Sequence, residues 1–174
     1  MASGSPFPLD KALLGFLMQG PAHGYALHQR AESDLGRIWY MGMSNVYGTL
    51  KDLERAGHVE ATLDEESYPP RKVYAVTAAG REAFLAWVRE VVPAVRDMRV
   101  EFLAKLYFFH TLDLEGVEQL LSAQQAVCRE RLEELEGRAA EGSEDVFERV
   151  VSDFRRRRIR ASLAWLHACE DAWA

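Results

Sequence analysis

Cysteine is scarce. Cys128 and Cys169 are the only two in 174 residues, too few for a disulfide framework and too far apart for metal-ligand spacing. They are expected as reduced thiols packed as small apolar side chains. No apolar run approaches the roughly 20 residues that cross a bilayer. Residues 1–8 lack a basic stretch followed by an apolar core. No secretory signal is therefore expected, and the reading is a cytoplasmic protein with no membrane partner. Catalytic fingerprints are also missing: there is no P-loop, no Gly-x-Ser-x-Gly and no dinucleotide-binding glycine pattern. His110, His167, Cys169 and Glu170 do not space as a metal set. Neither an enzyme nor a cofactor is expected.

Positive charge is in short supply too. The net charge is −6. Residues 1–92 carry nine Lys and Arg against eleven Asp and Glu, a net of −2, and residues 93–174 carry the remaining −4. This excludes a broadly basic nucleic-acid binder. Any affinity for phosphate must come from where a few cations are placed, with the acids turned away. The densest basic run, Arg155–Arg156–Arg157–Arg158 with Arg160, sits in a helical pattern that spreads the side chains around the axis. With 16 acids in the same half, ion pairing to neighbouring helices is the expected use of that run.

What is present is a sequence of helix signals followed by one strand pair. Leu9 to Gln19 reads as a helix stopped by Gly20–Pro21. His23 to Leu35 reads as a second, ending at Gly36. The third, Met43 to Gly57, is short and amphipathic. Val46, Leu50 and Leu53 form its apolar stripe at i, i+4, i+7, while Asn45, Thr49, Lys51, Asp52 and Arg55 lie opposite. Ser44 is its expected N-cap and Gly57 its C′ residue. Val59–Leu63 and Arg71–Thr77, joined by a polar segment, read as a hairpin. Thr77 is expected to cap a fourth helix reaching about Val92. Helix, helix, helix, hairpin is the order of a winged helix-turn-helix.

Pro93 marks the expected boundary, and beyond it there is no strand signal. Val95–His110 is rich in apolar residues. Asp113 is expected to cap a long helix through about Ala140, and Gly142–Ser143 to make a turn. The last helix carries an apolar stripe of Phe147, Val150, Phe154, Ile159, Leu163, Leu166 and Trp173. The expected fold is therefore mainly α: a winged helix-turn-helix at 1–92 with a two-stranded wing, then an all-helical dimerisation and effector domain at 93–174.

Several short motifs occur together, in order. They are Leu14–Gly15–Phe16–Leu17, Gly20–Pro21–Ala22–His23–Gly24–Tyr25, Ser44–Asn45–Val46–Tyr47, Leu50–Lys51–Asp52–Leu53–Glu54, Ala56–Gly57, Pro70–Arg71–Lys72–Val73–Tyr74, Thr77 and Gly80. Over about residues 9–92 the chain resembles the PadR family of bacterial transcriptional regulators. Residues 93–174 resemble, in length and helical character, the C-terminal region of the subgroup related to virulence activators. The resemblance implies a homodimer on palindromic double-stranded DNA, often a repressor relieved by a small molecule. It also implies that the third helix enters the major groove, with Ser44, Asn45, Tyr47, Thr49 and Lys51 as contact candidates, and that Arg71 and Lys72 lie on the wing. Gly48 stands where many members have proline, and His58 where leucine is usual, so a target sequence does not carry over.

The residues taken by themselves leave alternatives open. Asn45 can read adenine or merely support a helix start. His23, at a helix N-terminus, suits a phosphate or is simply a cap, and Tyr25 is a contact or a core aromatic. Arg71–Lys72 could be an ordinary charged strand start. The aromatics Trp87, Tyr107, Phe108 and Trp165 are either core and dimer packing or the walls of a pocket for a small aromatic effector. A winged-helix module for protein–protein contact, without DNA binding, is the rival reading that the acidic charge permits.

Overall fold

Seven helices and three short strands are formed among the described residues. The computed structural model describes residues 7–66, 68–140 and 145–173. The elements run α1 (Leu9–Met18), β1 (Ala22–His23), α2 (Gly24–Leu35), α3 (Met43–Arg55), β2 (Val59–Asp64), β3 (Arg71–Val76), α4 (Ala78–Arg89), α5 (Glu101–Thr111), α6 (Val117–Ala140) and α7 (Val146–Trp173). They group into two compact units. The first takes in residues 1–90 and 97–115, and the second residues 91–96 and 116–174.

In the first unit, α1 is apolar on nearly every side and packs against α2, α3, α4 and β3. Val46, Leu50 and Leu53 of α3 are buried, as their spacing requires. Each contributes about 1.5–3 kcal/mol by leaving water. Chain punctuation follows local chemistry. The His23 ring nitrogen Nδ1 accepts the Ala26 amide at 3.1 Å and caps α2. The Thr77 hydroxyl accepts the Gly80 amide at 3.1 Å and caps α4. Gly57, with φ +74, follows the last turn of α3, a conformation that costs glycine nothing.

Three expectations about local structure change. Ser44 does not cap α3. The helix begins two residues earlier than that cap implies, at Met43, and extended Gly42 is the N-cap, its carbonyl accepting from the Asn45 and Val46 amides at 3.0 and 3.2 Å. The sheet has three strands, ordered β1-β3-β2, where the sequence reading had two. Ala22 and His23 pair antiparallel with Tyr74 and Val73, a partnership too short to leave any periodicity. The hairpin itself has the register Val59↔Val76 to Asp64↔Arg71. Third, Asp113 lies before α6 rather than capping it, with φ +49. The expected turn at Gly142–Ser143 lies outside the described residues.

The helix α5 packs in the first unit, beside α4, although the sequence reading placed it beyond the boundary at Pro93. Its Phe108 ring is fully buried. It meets Phe16 at 5.2 Å, Phe84 at 5.3 Å and Tyr107 at 5.1 Å between centroids, all near edge-on, the geometry that ring quadrupoles favour. Lys105 is buried beside them. Its ammonium donates to the Glu90 carbonyl at 2.6 Å, pairs with Glu101 at 3.2 Å and lies 5.0 Å from the centre of the Trp87 ring. Burial pushes the Lys105 pKa down, and Glu101 opposes that shift. The Tyr107 hydroxyl donates to the Asp34 carboxylate in the last turn of α2.

The second unit is a packed pair of helices, α6 with α7, together with the segment 91–96. The buried Gln124 amide holds that segment through both backbone groups of Val92, accepting its N–H at 2.7 Å and donating to its carbonyl at 2.9 Å. The α7 stripe splits. Ile159 and Leu166 are buried, whereas Phe147, Val150 and Phe154 are exposed. Five residues separate Phe154 from Ile159, about 140° around a helix, so they face different ways.

Two measurements test this packing. A Cβ at Gly15 would sit 2.6 Å from the rings of both Phe108 and Phe84. Gly15→Ala is therefore expected to destabilise the fold by about 1–3 kcal/mol, read from the urea midpoint. Burial first, and then the Asp34 hydrogen bond, push the Tyr107 pKa up to about 12 from 10.0. The folded chain thus keeps a proton that the unfolded chain has lost. The stabilisation is fully present below pH 10 and declines as pH rises towards about 12. Tyr107→Phe is expected to flatten that stretch of a melting-temperature profile.

Candidate nucleic-acid interface

Anchoring α3 by its apolar stripe leaves one face outward. Ser44, Asn45, Tyr47, Gly48 and Lys51 are exposed along it, and Thr49 is half-buried. Tyr47 reaches back to the start of α2, where its ring lies so close to Gly24 that a Cβ there would come within 2.6 Å of it. Next to Gly24 stand His23 and Tyr25. Their rings are near parallel at 19°, with centroids 6.4 Å apart, and the Tyr25 hydroxyl accepts from Gln29 at 3.0 Å. The α2 N-terminus and the outer face of α3 are thus brought together by Tyr47 on Gly24. Residues 20 positions apart in sequence share one surface of polar, ring-bearing side chains.

The wing is tied to the same helix. The Lys72 ammonium donates to both carboxylate oxygens of Glu54, at 3.0 and 3.1 Å, and this hydrogen bond raises its pKa. Lys72 is therefore largely committed to holding β3 against the last turns of α3. Glu54 is the residue the sequence reading missed, since nothing at 18 residues' separation signals a pair. Arg55 is likewise taken, by Asp52 at 2.9 Å. Lys51 and Arg71 are exposed and have no ion-pair partner among the described residues. They are the two cations of this surface free to meet phosphate. Beyond Arg71 the hairpin turns acidic, with Asp64, Glu65 and Glu66 before the exposed Tyr68.

The residues expected at an effector pocket divide between the units. Trp87, Tyr107 and Phe108 lie in the first unit, where they pack on one another and on Phe16 and Phe84. The Trp87 indole donates to Glu101 at 2.9 Å. These three rings fill one another's surroundings. Trp165 belongs to the second unit, part-exposed on α7. The arginine run is expected to pair with neighbouring helices, and only Arg160 does so; the other pairs lie within α7. Arg157 meets Asp153 at 2.6 Å, Arg156 lies 3.8 Å from the same carboxylate, and Arg160 reaches Glu136 on α6. No group of His, Cys, Asp and Glu among the described residues could hold a metal ion. No described helix is long and apolar enough to cross a membrane.

Comparison with known proteins matches this architecture in two consecutive pieces. Residues 13–86 match the transcriptional regulator PadR-like family, and residues 98–173 match the virulence activator alpha C-terminal family. The negative transcriptional regulator PadR of Bacillus subtilis is 27% identical over 130 residues, covering 74% of this chain and 71% of that protein. A probable transcriptional regulator of Mycobacterium tuberculosis is 30% identical over 92 residues, 52% of this chain and 49% of that one. A crystal structure of the B. subtilis protein in complex with operator DNA aligns with 92% of this chain and 96% of its own, at 24% identity and a TM-score of 0.48. The helix-helix-helix-hairpin order, the capped α2 and the exposed face of α3 coincide with the first match, and the three C-terminal helices α5, α6 and α7 with the second: the chain carries a transcriptional regulator PadR-like domain followed by a virulence activator alpha C-terminal domain.

Proposed function

We propose that the chain acts as a homodimeric repressor that grips a palindromic operator through two copies of α3 and releases it when a small molecule binds. The outward face of α3 carries this reading. It offers Asn45 and Tyr47 as polar contacts and Lys51 as a cation with no competing acid among the described residues. Arg71 on β3 supplies a second free cation. Two such faces about one helical turn apart, roughly 34 Å, would read one side of a duplex. The name of the B. subtilis relative, a negative transcriptional regulator, favours repression.

A second copy is favoured by α7. Val146, Phe147, Val150 and Phe154 are 63, 72, 61 and 58% exposed along one side of the helix. A contiguous apolar patch among charges suits burial against another chain. A small molecule can shift such a dimer only by binding one spacing of the reading helices better than another.

A gel shift on the DNA upstream of the chain's own coding region, at low and moderate salt, is the central test. Retardation is expected at both, with unrelated duplex binding far more weakly, because residues 1–92, of net charge −2, gain little from phosphate alone. Absence of any retardation overturns the reading and leaves the protein–protein module. Lys51→Ala and Arg71→Ala are each expected to reduce the salt slope by about one unit per lost phosphate contact. Lys72→Ala should change it less, because Glu54 already neutralises that charge. Light scattering should give a dimer at micromolar concentration, and Phe154→Glu should shift it towards monomer. A wild-type monomer would sink the dimeric reading.

A further inference from the structure

We propose that Gly48 is a specificity-determining residue, its missing side chain reserving room on α3 for the 5-methyl group of a thymine. The proposal rests on the regulator reading and names what one position of the reading helix recognises.

Gly48 lies inside a helix of 13 residues, where glycine is among the poorest choices. Nothing within the chain asks for it. A Cβ at Gly15 or Gly24 would come within 2.6 Å of a ring, and one at Gly80 would run into the His58 carbonyl. Gly20, Gly57 and Gly116 have positive φ. Gly36, Gly42 and Gly137 sit at or near helix ends, where the penalty is small. Gly48 has none of these reasons. A Cβ there would meet nothing within 4 Å, and its φ is not positive. Among the described glycines, only Gly48 combines a helix interior with open space above it.

Its place on the helix is as particular. At about 100° per residue, Val46, Leu50 and Leu53 lie roughly 140–160° around the axis from Gly48. All three are buried, so Gly48 marks the point of α3 most directly opposite the core. Its neighbours on that ridge, three residues to either side, are the exposed Asn45 and Lys51. A helix lying in the major groove with this face inward brings Gly48 nearest the base edges. A side chain at that point would stand between backbone and bases.

The chemistry of the position narrows the target. The Gly48 N–H and C=O are used within the helix ladder, so only C–H surface faces outward. It offers nothing to the hydrogen-bonding edges of guanine, adenine or cytosine. Thymine's methyl is the one apolar group displayed in the major groove. It gains from leaving water and needs a hollow of its own size.

The test uses the full chain and the duplex retarded in the gel shift, together with a set in which each thymine in turn is replaced by uracil in both half-sites. That replacement removes only the methyl group. Gly48→Ala is expected to raise the melting temperature by about 1–4 °C, since alanine suits a helix better and its methyl meets nothing. It should weaken binding to the thymine duplex at least about tenfold, the scale of a methyl forced into filled space. Random duplex should change by less than about twofold, because phosphates dominate there. At one thymine position the wild type should lose about fourfold per half-site on uracil, the worth of one buried methyl. At that same position Gly48→Ala should prefer uracil, a reversal that no folding defect produces. Unchanged binding in Gly48→Ala overturns the proposal and leaves the regulator reading intact. So does a loss shared equally by operator and random duplex, or one that uracil relieves at no position. A fall in melting temperature assigns Gly48 to the fold and overturns the proposal as well. A wild type that binds no DNA overturns the regulator reading, and this one with it.

Discussion

The reading unit depends on how closely rings approach α1. Phe84 of α4 and Phe108 of α5 both press on Gly15, leaving no room for a methyl group. The same helix supports α2, α3 and β3 on its other sides. A helix of ten residues, apolar nearly all round, thus supports the three elements that carry most of the candidate contact residues. The rigidity matters because α3 is held by only three buried side chains. A short helix with so small an inner face keeps its aim only if the scaffold behind it does not yield.

Charge is managed by pairing rather than by excess. The chain is acidic, and two of the four cations near the candidate interface are answered by acids within reach: Arg55 by Asp52, and Lys72 by Glu54. What remains free is a small and defined set, Lys51 and Arg71. Binding built on few phosphate contacts is weak on random duplex, so sequence-dependent contacts weigh more in the total. In the second unit the same economy recurs. Arg156, Arg157 and Arg160 are paired to acids, and their neighbours Arg155 and Arg158 stand at the mouth of a cavity. The run of arginines that reads in sequence as one feature divides into paired and unpaired members, because successive residues on a helix point about 100° apart.

The first and second units differ in what holds them. Edge-on aromatic rings dominate the first, and α5, although it follows the linking segment, is recruited by them. In the second, the two long helices pack on each other, and Gln124 saturates both backbone groups of Val92. A buried side-chain amide doing the work of a strand neighbour satisfies groups that would otherwise be costly to bury.

Local chemistry was readable from the chain alone. The stripe of α3, the cap at Thr77, the glycine after α3 and the hairpin between 59 and 77 each follow from a few adjacent residues, and helix spacing and turn preferences act over that range. The helical character of the C-terminal half was readable for the same reason, as was the family through its ordered motifs. The tertiary structure decided what depends on neighbours distant in sequence. It paired two residues before α2 with β3, moved the start of α3 to Met43, and placed α5 in the first unit. It also committed Lys72 to Glu54, and turned one apparent stripe on α7 into a buried face and an exposed one. A side chain's availability is set by what folds against it, and no local pattern encodes that.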